Sequence, residues 1–268
     1  MKQLKFMVAV ASALFTAWAL RTKLRAERVA DAPAIATYVK LVFKPIAKWA
    51  AGRALTGRYR DSDVPNGGRF TRSDVRRILG SAWRNYDNLA PSAHIERLET
   101  VGNRQNLLLG VFTHSLYRAL LEEGTEEKHA TELVSDFMWK AYETWIFVPR
   151  SVARLIKRNP QRQVNLMLRM FLHYPFSGPG YISKYRPQAD HFALDIYRCP
   201  VQEYFQAQGE GAFMLNSWCT LDFALAQVMT AAGAYTRPHT LSAGDEVCDM
   251  KWYAKCPAGV STKTATGR

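Results

Sequence analysis

The chain has 268 residues, of which 48% are hydrophobic and 12% aromatic, so it can bury a core and is not a disordered tail. Its formal net charge is +13, but residues 1–60 hold 12 Lys/Arg against Glu27 and Asp31, and the remainder is nearly balanced. That distribution argues against a nucleic-acid binder, which spreads its basic face through the folded domain; four cysteines are also too few for a disulfide scaffold.

The first element is an uncharged apolar run, Phe6–Leu20, between Lys5 and Arg21. A single membrane helix, a secretory signal with an A-x-A site at Ala17–Ala19, and an acid-free organelle transit peptide all compete for it. The anchor is the preferred reading, because flanking Lys and Arg extend a short span by snorkelling. Arg21, Lys23, Arg25 and Arg28 follow directly, which puts the folded body on the cytoplasmic side, or on the matrix-equivalent side of an organelle. Lys40, Lys44 and Lys48 then recur every four residues opposite Val39, Val42, Phe43, Ile46 and Trp49. This pattern fits a helix lying on anionic lipid, or an ordinary amphipathic helix packed on the body. Pro45 is expected to kink or restart it.

Turn-rich Asp61–Phe70 marks an expected boundary, giving a 1–60 attachment region, a 61–256 domain and a loose 257–268 tail. Helices are expected from Ser73 to Leu89, from Arg104 to Gly124, from Thr125 to Pro149, and over about 150–157 and 160–172. After the break at Tyr174–Tyr181, His191–Cys199 alternates as a strand. Two helical stretches follow, the second holding both Cys219 and Asp222, and Arg237–Ala254 reads as a hairpin turning near Gly244 and Asp245. The expected fold class is α+β: a helical bundle first, then a small antiparallel sheet flanked by helices.

Cys219 and Asp222 lie three apart and would share a helix face. On the last strand, Cys248, Met250 and Trp252 alternate against Asp249, Lys251 and Tyr253, so Cys248 should face the core. Isolated cysteines are often simply small buried hydrophobes, and no C-x-x-C pair marks a metal site.

The stretches "FSGPGY", "DIYRCPVQEYF", "FMLNSWCTLDFALA", "RPHTL" and "GDEVCDMKW" occur in an order that resembles the L-2-amino-thiazoline-4-carboxylic acid hydrolases. The resemblance covers 174–254 most strongly. It aligns Cys199, the Cys219-x-x-Asp222 spacing and Cys248–Asp249 with family positions, while Met250 and Lys251 stand where the family has an aromatic residue and an Arg. Lysine keeps the charge but loses the two-pronged grip on a carboxylate. The implied activity is hydrolytic opening of a small cyclic amidine that carries a carboxylate.

Two schemes would serve that activity. Cys199, Cys219 and Cys248 could bind zinc and activate water, or Cys219 could be a thiolate nucleophile. Asp222 would move protons in either, with His239 as a second acid/base and Arg237, Lys251 or Asp249 holding the small-molecule substrate. A different class of function is open too: the same fold as a non-catalytic ligand-binding or accessory subunit of a membrane complex.

Overall fold

The structure is a computed structural model that describes residues 32–61, 67–230 and 233–256. The apolar run at Phe6–Leu20 and the 257–268 tail lie outside the described residues, and among those described no helix is long and apolar enough to cross a membrane. The chain divides into two compact units, 1–144 and 145–268.

The first unit is helical. Helix α1 (Ala32–Ala54) continues through Pro45, where a kink or restart was expected. Helix α2 (Arg72–Leu89) begins one residue before the expected Ser73 and is capped by Thr71. The reason is a capping box: Asp74 N–H donates to Thr71 Oγ1 at 3.2 Å, and the Asp74 carboxylate accepts from Thr71 N–H at 2.8 Å. Helix α3 (Val101–Glu122) is the central element, with every residue from Gly102 to Tyr117 buried. Helix α4 (Glu127–Ile156) runs on through Pro149 and absorbs the short helix expected after it.

Phe112 of α3 organises this core. Its ring centroid lies 4.3 Å from Trp83, 5.3 Å from Phe43 and 5.9 Å from Phe137. Phe43, Ile46, Ala47 and Ala50 of α1 are buried. Lys40 ion-pairs with Asp87 at 2.6 Å, and Lys44 sits over the Trp83 ring at 5.6 Å. The apolar side of α1 is therefore spent on protein, as in the ordinary amphipathic reading, and only Lys48 of the three lysines has no recorded partner on α2. The Asp61–Phe70 break is a connection inside the first unit, closed by an antiparallel bridge between Tyr59 and Arg69.

The second unit is the sheet region. It opens with the end of α4 and α5 (Pro160–His173), capped by Asn159 with Pro160 at the first helical position. Strands β1 (Ile182–Pro187), β2 (Phe192–Arg198), β3 (Ala234–Thr236) and β4 (Cys248–Tyr253) form one sheet in the order β1-β2-β4-β3, each pair antiparallel. Helices α6 (Pro200–Ala207), α7 (Gly211–Asn216) and α8 (Leu221–Thr230) separate β2 from β3. One sheet face, with Phe192, Leu194, Met250 and Trp252, buries against Ile146, Ala153, Val164, Met167, Leu168, Ala226 and Met229. Buried Gln161 ties α5 to the strand end: Ala254 N–H donates to its Oε1 at 2.7 Å, and its Nε2 donates to Trp252 O at 3.3 Å. The α+β reading holds, with β1 as an unforeseen strand on the sheet edge.

Candidate active site

The stretch expected to be one helix through Cys219 and Asp222 is two helices with a turn between. Small polar side chains unwind it: Ser217 Oγ donates to Phe213 O at 2.6 Å, and Thr220 Oγ1 donates to Ser217 O at 2.7 Å. Such local bonds compete with the regular ladder. Cys219 sits in that turn, Asp222 in the first turn of α8.

The long β3–β4 connection brings their partners back. Arg237 follows β3 directly, and its Nη1 donates to Asp222 Oδ2 at 2.8 Å and to Cys219 O at 2.9 Å. The Phe223 ring covers the guanidinium at 5.2 Å. The short 3₁₀ turn Leu241–Ala243 presents Ser242, whose Oγ is 3.2 Å from Cys219 Sγ. Leu241 N–H donates to Cys248 Sγ at 3.3 Å, and Thr240 Oγ1 is 3.4 Å from that sulfur. Gly244 ends the turn at φ +95°, a left-handed conformation that glycine adopts without strain.

Burial dominates the electrostatics. It pushes the Cys199 thiol up to about 12, with Cys219 and Cys248 adding to the shift, against the opposing N–H groups of Gln202 and Val201 at the start of α6. It pushes Cys219 up to about 11, against Ser242 and Arg237. Both are thiols, not thiolates, at neutral pH. Asp222 keeps 34% of its side chain accessible, yet crowding by protein raises its carboxyl above the ordinary value, against the pull of Arg237. A carboxylate that is partly desolvated and still open to one side is a stronger base than a surface aspartate.

The structure thus gathers Cys199, Cys219, Asp222, Arg237 and Cys248 in one neighbourhood of the second unit. It separates the other three candidates. Strand alternation sends Asp249 and Lys251 to the face opposite Cys248, Met250 and Trp252. There Asp249 accepts from His239 N–H at 2.8 Å and lies 3.0 Å from its Nδ1, while Lys251 is exposed. The Asp249 hydrogen bond and charge, with Asp245 adding to them, raise His239.

The zinc set needs correction. Cys199, Cys219 and Cys248 sense one another, but among the described residues no group of three or more His, Cys, Asp or Glu side chains is disposed to hold a metal ion. The sulfurs of Cys219 and Cys248 are instead met by Ser242, Thr240 and the Leu241 N–H. Cys199, Cys219 and Cys248 are free thiols.

Tyr235 and Ser242 belong to this neighbourhood and were not anticipated. Tyr235 stands opposite Trp252 across β3–β4, and its ring packs edge-on against Phe223 at 4.9 Å. Its hydroxyl is buried with no hydrogen-bond partner, in the field of Asp222, Arg237, Cys248 and Cys219. Its one sequence signal was its place two residues before Arg237.

A partly desolvated carboxylate held by a buried guanidinium is placed to act as a base. The model of the L-2-amino-thiazoline-4-carboxylic acid hydrolase family matches residues 105–252, more than half of the chain, and the chain belongs to that family. No curated protein and no solved structure matches it.

Proposed function

We propose that the chain hydrolyses a small cyclic amidine bearing a carboxylate, with Asp222 as general base. The observation that carries this reading is the Asp222–Arg237 pair, desolvated and adjacent to Cys219, inside the segment that matches the family. Asp222 takes a proton from water as the water oxygen attacks the amidine carbon. The adduct then collapses with cleavage of a ring bond to that carbon, the ring C–N bond in our reading, and the departing heteroatom takes up a proton. Arg237 holds Asp222 in place through Nη1, and in this reading the same guanidinium meets the substrate carboxylate. The Tyr235 hydroxyl is a free buried donor for the adduct or the leaving atom. Cys219, protonated and bonded to Ser242, lines the site rather than attacking.

The test is incubation of purified full-length protein with L-2-amino-thiazoline-4-carboxylic acid, scoring both a new amine and a new thiol. Amine release marks C–N cleavage and thiol release marks C–S cleavage. Neither product, with wild type and D222N indistinguishable, rejects the proposal. Lys251 favours a second reading, ligand binding without turnover, because it lies exposed on the far side of β4 where the resemblance expects an arginine. Saturable heat of binding in calorimetry with no product would select that reading, in which the chain serves as an accessory subunit.

We also propose membrane attachment through Phe6–Leu20 and the basic residues after it, with the folded units on the cytoplasmic or matrix-equivalent side. The support is the apolar run between cations. Extraction by alkaline carbonate would reject it.

A further inference from the structure

From Thr144 to Ala189 the chain carries eight Lys or Arg and no Asp or Glu, a local excess hidden by the near balance of the whole body. The end of α4 concentrates it. On this helix, Ile146 and Ala153 face the core of the second unit. Phe147 and Arg154 lie roughly a quarter turn from that line and Leu155 opposite it, Phe147 60% and Leu155 87% exposed. Ile156 is 60% exposed at the helix end, and Arg158 and Arg162 follow, both exposed. Among the described residues none of Arg154, Arg158 and Arg162 is ion-paired; Arg150, one turn before Arg154, has a buried Nε with no hydrogen-bond partner. The charge acting on Arg150 is a like charge, Arg154.

We propose that the exposed side of the end of α4, from Phe147 to Ile156, with Arg158 and Arg162 beyond it, docks on an anionic phospholipid surface. Cations interleaved with large exposed aliphatic side chains suit a headgroup layer: the cations meet lipid phosphates while Phe147, Leu155 and Ile156 enter the acyl boundary. A phosphodiester backbone would satisfy the cations and leave the aliphatics in water. A second copy of this chain would set cations against cations across a two-fold axis. The face is independent of the apolar run at Phe6–Leu20, and of the hydrolytic reading.

The connection Lys157–Asn159 offers a local reporter, because trypsin cuts after Lys157 and Arg158. Full-length protein is reconstituted into vesicles of phosphatidylcholine alone, or of two parts phosphatidylcholine to one part phosphatidylserine. Cleavage in this connection is followed by mass spectrometry against cleavage elsewhere in the chain. Each cation at such a surface is worth about fivefold in partitioning, so protection on the anionic vesicles should exceed that on neutral ones by at least about tenfold. It should vanish in R154E/R162E and weaken in L155S, while thermal melts by circular dichroism stay unchanged because these side chains are exposed. Equal cleavage on both vesicle types overturns the proposal, as does protection that survives the charge reversal. Protection without vesicles that grows with protein concentration would assign the face to protein contacts and overturn it as well.

Discussion

Asp222 is the residue on which the hydrolytic reading turns. D222N keeps the side-chain shape and removes the base, so turnover should fall by at least about 10²-fold while binding of the substrate persists. Y235F is the informative companion. Its hydroxyl has no protein partner, so removing it should leave stability unchanged or raise it by about 1 kcal/mol, while turnover falls if the hydroxyl serves the adduct. A fall in the melting temperature would show instead that the hydroxyl has a structural role. The His239–Asp249 pair titrates on the other face. Asp249 raises His239, so the contact stabilises below the ordinary histidine value of about 6.5 and fades as pH rises past the raised one. Burial works against Asp249, but the His239 hydrogen bonds outweigh it and hold the carboxyl low; that contribution is present above about 3.8 and fades as pH falls through the lowered value. D249N should therefore melt furthest below wild type near pH ~5.5, and the gap should narrow toward pH ~9 as His239 loses its charge, with turnover unchanged throughout.

At the scale of elements, the site is assembled by two connections rather than by strands. The turn between α7 and α8 carries Cys219, and the β3–β4 connection carries Arg237, Ser242 and the contacts to Cys248. Gly244 ends the second connection in a left-handed conformation with open space around it. G244A therefore meets no neighbour, and its cost is backbone strain alone, about 1 kcal/mol in chemical denaturation. If that strain reshapes the connection, Ser242 leaves Cys219 and alkylation of that thiol by iodoacetamide speeds up; an unchanged rate would show that the turn does not depend on glycine. Helix and strand types were readable where period and caps agreed, as in α5 behind Asn159-Pro160 and in β2. Reading Cys219 and Asp222 as one helix face failed because Ser217 and Thr220 bond the backbone locally, and three-residue spacing does not reveal that. Strand β1 was missed because, as an edge strand, its side chains are mostly exposed and carry no apolar alternation.

At the scale of the whole molecule, α1 belongs to the folded body. Phe43, Ile46 and Leu55 are buried in the first unit, each worth about 1.5–3 kcal/mol, against a typical total stability of about 5–15 kcal/mol. A chain beginning at Ser62 should be unstable or aggregate, whereas one beginning near Ala32 should melt like the full-length protein; equal melting of the two would show that α1 packing is dispensable. Composition and periodicity by themselves determined the α+β class, the basic front end and the core side of β4, because these follow from local pattern and burial. The ordered motifs determined the resemblance to the hydrolase family. Only the tertiary structure decided which candidates meet. Arg237 joins Asp222 across 15 residues of chain, while His239, two residues further on, turns to Asp249 on the opposite face of the sheet. Spacing along a chain sets the face of one element, but the convergence of several depends on how connections fold back, and no local period encodes that.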